Sequence, residues 1–255
     1  MCILFLSINQ HHDYPLIICA NRDEFHQRPT KGAHFWEKYP YILAGKDLQA
    51  GGSWLGINKT GYFAAVTNIR TGDKPETGKK SRGELITCAL MANSVIDIGW
   101  LQQNSHQYNP FNLIYGSLNN LVCFNSISNE QTHLQDGFHA ISNGNMDDKW
   151  PKMTTGVKHL ESLVQSKESF DRIKLLAMLQ DQKPAEENQL PSTGVPLIWE
   201  RLLSSIFICN ENYGTRSSTI ILQKQDKTID FSELEYDQQG RVTNQNNYLF
   251  PIKEK

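Results

Sequence analysis

Two apolar runs rich in strand-forming residues open the chain, at 2–8 and 14–20, with the polar stretch Asn9-Gln10-His11-His12-Asp13 between them. Short apolar segments joined by a polar turn pair most simply as an antiparallel hairpin, and the pattern recurs. Ser53-Trp54-Leu55-Gly56-Ile57-Asn58 and Tyr62-Phe63-Ala64-Ala65-Val66-Thr67-Asn68 flank the turn signal Lys59-Thr60-Gly61. Residues 111–117 and 121–127 flank Leu118-Asn119-Asn120 in the same way. Further strands are expected near Tyr41–Ala44, at Phe138–Ser142, and late in the chain at 205–209, 216–223 and 228–236. Helical period runs from Arg82 through about Gln103, with Leu85, Ile86, Ala89 and Leu90 on one face and Ser81 and Glu84 spaced as a capping box. Two more helices are expected near 152–166 and 169–181, and exposed or polar loops at 71–80 and 182–196. Strands, helices, strands, helices, strands is the order of an α+β protein, with antiparallel sheets and helices packed on them. At 255 residues without internal repeats, a single domain spanning 1–255 is the simplest organisation.

Charge and composition exclude several function classes. The net charge of −2 provides no basic footprint for nucleic acid. No apolar stretch reaches the roughly 18 to 20 residues that cross a bilayer. The first residues lack a basic n-region and a small-residue cleavage site, so they read as a strand of the mature protein rather than a signal peptide. The five cysteines are scattered, odd in number and without a CxxC pair. That argues against a disulfide framework or a structural zinc site, and for a reducing, cytoplasmic setting with no metal centre.

Cys2 is the first residue that can carry chemistry. An initiator methionine is normally removed when the second residue is small, which would leave Cys2 with a thiol and a free α-amine. An amine with a pKa near 8 is a built-in base for its own thiol. Equally, an apolar strand can simply begin with a cysteine, a residue that is often buried. Asn21-Arg22-Asp23-Glu24 closes the second apolar run. In a hairpin that end lies beside the start of the first strand, where the Asp23 carboxylate can hold an ammonium and Arg22 can favour a thiolate. Asn68 and Asn143 each end a strand; asparagine there is usually a turn former, but two amide donors also suit an oxyanion hole. Arg216 reads as a surface charge at a strand start. Gly51-Gly52 before Trp54 reads as tight backbone packing or as a pocket floor, and Trp54, like Trp36, as core more readily than as a stacking platform.

Taken in order, these segments resemble the NRDE family, also called the transport and Golgi organisation protein 2 family, over essentially the whole chain. The matching segments are Met1-Cys2, Asn21–Glu24, Gly51-Gly52-Ser53-Trp54-Leu55-Gly56, Thr67-Asn68, Ser81-Arg82-Gly83-Glu84-Leu85, Ser142-Asn143 and Tyr213-Gly214-Thr215-Arg216. That family in turn is similar to the cysteine branch of the N-terminal-nucleophile hydrolases, which includes penicillin V acylases and bile salt hydrolases. The resemblance implies a four-layer αββα sandwich of two antiparallel sheets. It implies Cys2, Asp23, Asn68, Asn143 and Arg216 as the catalytic set, with Asn21, Arg22, Glu24 and Trp54 as binding residues. The reaction implied is cleavage of a linear amide C–N bond by Cys2, with no cofactor required. One departure stands out: those hydrolases carry an arginine three residues before the aspartate, where this chain has Ala20, and Arg22 lies on the same side of a pleated strand. The family resemblance also implies a second reading, a protein that keeps the fold without the chemistry and handles haem or an acyl-CoA as cargo.

Overall fold

The computed structural model describes residues 2–91, 96–166 and 170–253. Strands β1 (Cys2–Ile8), β2 (Leu16–Phe25), β3 (Thr30–Phe35), β4 (Ile42–Asp47), β5 (Leu55–Asn58) and β6 (Tyr62–Asn68) come first. Helices α1 (Gly83–Leu90) and α2 (Ile98–Asn104) follow, then β7 (Phe111–Ser117), β8 (Asn120–Asn125), β9 (Glu130–His133) and β10 (Gly137–Ile141). Helices α3 (Pro151–Val164), α4 (Arg172–Leu179) and α5 (Leu197–Leu202) precede β11 (Tyr213–Gln223), β12 (Thr228–Tyr236) and β13 (Val242–Pro251). The architecture is α+β, with two antiparallel sheets of order β10-β1-β2-β11-β12-β13 and β3-β4-β5-β6-β7-β8-β9. Among the described residues no helix is long and apolar enough to cross a membrane.

The chain divides into two compact units. The first comprises residues 1–27, 70–73 and 135–249, and the second residues 28–69, 74–134 and 250–255. Each unit is a helical layer on one antiparallel sheet. In the first, Ile3 and Phe5 of β1, Ile17 and Cys19 of β2 and Ile220 and Leu222 of β11 form one apolar face. Met153, Leu160 and Val164 of α3 and Leu175, Met178 and Leu179 of α4 cover it. The period-2 alternation of the strands meets the helical period of α3 here, which is why two unlike sequence patterns build one core. Pro151, at the first position of α3, is pre-set for a helix start. Gly156 lies where that helix crosses Phe5, and a Cβ at this position would stand 2.2 Å from the Phe5 ring.

In the second unit the sheet is an unbroken meander of seven strands, and Leu85, Ile86, Ala89 and Leu90 of α1 pack on it, the face expected from periodicity. The turn at 59–61 forms as read: Asn58 Oδ1 accepts from Thr60 N at 3.0 Å and Tyr62 N at 2.9 Å, and Gly61 takes φ +77°. Gly51-Gly52 is tight packing, since a Cβ on Gly52 would meet the Gly83 backbone at 2.3 Å.

Several expected elements differ. The single helix over 82–103 is two: Met91 turns to extended backbone after α1, and Asp97 caps α2 by accepting from Trp100 N at 2.7 Å. Residues 92–95 of that span, and position 169 at the start of the expected 169–181 helix, lie outside the described residues. No capping box forms at α1. Ser81 Oγ accepts from Gly83 N at 3.3 Å, while Glu84 accepts from the Tyr108 hydroxyl. Residues 205–209 are not a strand, because their backbone donors are taken elsewhere. Phe207 N bonds Asp181 O at 2.8 Å and Ile208 N bonds Thr215 Oγ1 at 2.9 Å. The same residues send Ile206, Phe207 and Ile208 into three separate apolar clusters.

Gly156→Ala forces α3 and Phe5 apart, so a loss of about 1–3 kcal/mol is expected in denaturant unfolding. Lys158→Ala on the exposed side of the same helix should stay within about 0.5 kcal/mol of the parent.

Candidate active site

The β1–β2 register sets Cys2 opposite Arg22, and both are buried. Burial raises the Cys2 thiol pKa and the charge of Asp23 adds to the rise. Arg22 and a backbone hydrogen bond from Asp23 act the other way. Asp23, 1% exposed, pairs with Thr215 of β11 and accepts from its Oγ1 at 2.7 Å. Burial pushes its carboxyl up as well, opposed by Lys152, by the Thr215 hydroxyl and by Arg22. A thiol and a carboxyl thus lie buried at the same end of a hairpin, each shifted toward neutrality by burial and held back by cations.

On the other side of β1, Leu4 pairs with Ile141, which brings Ser142 and Asn143 to the same strand end. Ser142 Oγ donates to Cys2 O at 3.1 Å and to Asn143 Oδ1 at 3.3 Å. The Asn143 carbonyl accepts from Arg70 N at 2.8 Å, and its Oδ1 lies 3.4 Å from an Arg70 guanidinium nitrogen. With Oδ1 facing two donors, the amide presents Nδ2 as the donor on its opposite edge. Arg70 is itself pinned: it donates to Glu200 Oε2 at 2.7 Å and lies 5.1 Å from the Trp150 ring centroid. Both partners of this ion pair are buried, at 7% and 4% side-chain exposure. Glu200 also accepts from Thr193 N at 2.8 Å, so the pair ties α5 and its preceding loop to Asn143.

Two further ionisable groups crowd the site. Lys152, in the first turn of α3, is buried, and that burial pulls its ammonium down to about 8 against the attraction of Asp23 and Cys2. Tyr213 is buried, and burial followed by the charges of Asp23, Glu24 and Cys2 lifts its phenol well above the ordinary range.

Of the residues expected from sequence, Cys2, Arg22, Asp23 and Asn143 come together. Ala20 sits between Leu4 and Thr219, whereas Arg22 lies directly across from the thiol, so the cation beside Cys2 comes from Arg22. Glu24 is half-buried, 3.8 Å from Arg22, and accepts from Phe25 N at 2.9 Å. Asn21 is turned into the helical layer. Its amide donates to Leu179 O at 2.7 Å and Ile206 O at 2.9 Å, and it accepts from Ser218 Oγ at 2.6 Å. Arg216 is the extra residue of a bulge between Thr215 and Ser217, which re-aims its side chain. It donates to Phe25 O at 3.2 Å and His26 O at 3.1 Å, bracing the end of β2. Asn68 and Trp54 belong to the second unit. Asn68 closes β6 opposite Phe111, and the Trp54 ring covers Gly45 so closely that a Cβ there would meet it at 2.2 Å.

Arg70, Lys152 and Glu200 escape a reading of the sequence, and Tyr213 enters it only within the family-matching segment Tyr213-Gly214-Thr215-Arg216. For Lys152 there is a signal: a lysine directly after the Pro that opens a helix opposes the helix dipole, and a residue placed against its local preference invites a reason. Glu200 carries none, because α5 falls just after a loop whose polar composition hides it.

A model of the family described as Transport and Golgi organisation 2 matches residues 1–238. The Transport and Golgi organization 2 homolog of Mus musculus is 32% identical over 256 residues, covering 91% of this chain and 92% of the relative. The Homo sapiens homolog has the same identity and coverage, and the Drosophila melanogaster protein is 25% identical over 260 residues, covering 91% of each. Among solved structures, a C2A mutant of conjugated bile acid hydrolase from Clostridium perfringens has a TM-score of 0.44 at 9% identity, covering 100% of this chain and 98% of that one. A Caenorhabditis elegans ortholog of N-acylethanolamine-hydrolyzing acid amidase has a TM-score of 0.41 at 11% identity, covering 87% and 92%.

Breaking the Arg70–Glu200 pair leaves one charge buried alone, so Arg70→Met is expected to cost about 3–5 kcal/mol in denaturant unfolding. The double variant Arg70→Met/Glu200→Leu should recover most of that loss. A second expectation concerns His139, whose Nδ1 lies 2.8 Å from Asp147 Oδ2 and whose Nε2 lies 2.8 Å from Gln135 O. Both ring nitrogens face acceptors, and the hydrogen bond to Asp147 raises the imidazole pKa. Its folded pKa therefore lies above the unfolded value of about 6.5, and its stabilisation is complete below that value and lost as pH rises through the folded one. Thermal unfolding should show this decline as pH rises above about 6.5, and His139→Gln should flatten it.

Proposed function

The chain belongs to the Transport and Golgi organisation 2 family, and from that premise we propose that it is a hydrolase of linear amide C–N bonds with Cys2 as nucleophile. The observation that supports this reading is the buried Cys2 thiol at one strand end, across from Arg22, acted on by the Asp23 charge and backbone, with Asn143 linked to it through Ser142. Removal of Met1 supplies the missing base, an α-amine on Cys2 itself. Sulfur then attacks the amide carbonyl, the thiol proton passes to that amine, and the carbonyl electron pair moves onto oxygen. Asn143 Nδ2 is suited to receive the oxyanion, since Arg70 and Ser142 occupy the other edge of its amide. Collapse breaks the C–N bond, the leaving amine takes the proton from the Cys2 ammonium, and water hydrolyses the thioester to release acid and restore the thiol. Asp23 orients the ammonium, held by Thr215, while Arg216 braces the strand end that carries it.

Two measurements decide the matter. Intact mass of the protein from its own host should show Met1 removed. Turnover of a panel of N-acyl amides should fall by about a thousandfold or more in Cys2→Ser. Retained Met1, or equal turnover by the serine variant, overturns hydrolysis. Haem or acyl-CoA binding that is unchanged in Cys2→Ala, with no amide turned over, would instead point to a carrier.

A further inference from the structure

Among the described residues the edges of the two sheets are β10 and β13 in one and β3 and β9 in the other. An edge carries a row of N–H and C=O groups that can pair with another strand, and chains blunt it with charges, bulges or brevity. Three of the four edges are blunted. β3 holds Lys31 and His34, and its register with β4 shifts between them. β9 is four residues long and holds Glu130 and His133. β10 has five residues, opens on Gly137 at φ +139° and holds His139, which bonds Asp147. β13 is neither short nor charged. It runs for ten residues, no charged residue occurs from Val242 to Ile252, and its proline is the last residue of the strand. The flanking Arg241 is neutralised within its own turn, where Nε donates to Asp237 Oδ2 at 2.8 Å.

This edge is also held ready. Asn244 and Asn246 both donate to Glu235 Oε1, at 2.8 and 3.0 Å, and Asn247 Oδ1 accepts from Ser232 Oγ at 2.7 Å. Side chains of β12 thus fix the strand from within its own sheet. Alternate residues of an antiparallel strand turn their N–H and C=O outward, which gives about five such residues here. Val242 and Leu249, 52% and 65% exposed, stand beside them. A matching strand would carry no charge, and its side chains would both donate and accept; β13 itself meets that description. Run antiparallel to its own copy, Asn and Gln meet Asn and Gln, and a twofold axis makes every contact reciprocal. We propose that β13 pairs edge to edge with β13 of a second copy of this chain, joining two six-stranded sheets into one.

The test uses the full chain and needs no substrate. Sedimentation velocity from about 1 to 100 µM reads the assembly state, and hydrogen exchange at both ends of that range reads where the copies meet. The monomer should give way to a species of twice its mass as concentration rises. Amides within 242–251 should gain protection over the same range, because the outward donors then bond the second copy. Gln245→Lys/Leu249→Lys changes two exposed side chains and sets like charges across the twofold axis. It should weaken association about tenfold or more and leave thermal unfolding of the dilute protein unchanged. A parent that stays monomeric at every concentration overturns the proposal. So does a dimer whose 242–251 amides gain no protection, since its interface then lies elsewhere. A folded lysine variant that associates as tightly as the parent overturns it too. Should that variant fail to fold, the exchange measurement on the parent decides alone.

Discussion

The pairing of β2 with β1 on one edge and β11 on the other is the constraint from which the candidate site follows. Antiparallel registry allows no partial slip: one residue of displacement would turn Cys2 away from Arg22 and Asp23 away from Thr215 together. The registry is held by apolar and then polar side chains along one face of β2. Ile17 and Cys19 lock β2 into the apolar layer under α3 and α4, and Asn21 continues that face with hydrogen bonds to Leu179 and Ile206 carbonyls. The polar end of β2 is therefore positioned by the same helices that bury its apolar half.

Electrostatics at that strand end are those of a desolvated cluster rather than of a single ion pair. Cys2 and Asp23 are driven toward neutrality by burial, and the cations near them are Arg22 and Lys152. Arg70 and Glu200 neutralise one another a step further out, where they fix Asn143. Such an arrangement makes the charge on any one member depend on the others, the condition under which buried groups titrate as a set.

What could be read from sequence divides along a physical line. Interior strands with continuous or alternating apolar residues, such as β1, β2, β6, β7 and β11, lie where their patterns place them. The strands without a prior expectation, β3, β9 and β13, are edges: Glu-Gln-Thr-His in β9 and Val-Thr-Asn-Gln-Asn-Asn in β13 show no apolar face because almost every residue of these segments is exposed. The apolar run at 205–209 misleads for the converse reason, being buried without joining a ladder. In the site, Cys2, Arg22, Asp23 and Asn143 were legible because hairpin geometry links strand ends that are close in sequence. Lys152, Arg70 and Glu200 reach the same place from a helix turn, a short strap and a hidden helix, and no local pattern relates them.

Asp23 and Thr215 stand 192 residues apart in the chain, and β11 is the second neighbour of β2. During synthesis β2 can acquire β1 at once, but its other edge waits until nearly the whole chain has emerged. Contacts of that sequence separation form late and make folding slow. For most of translation, then, one edge of β2 stands unpaired, and Asp23 gains its Thr215 partner only when β11 docks.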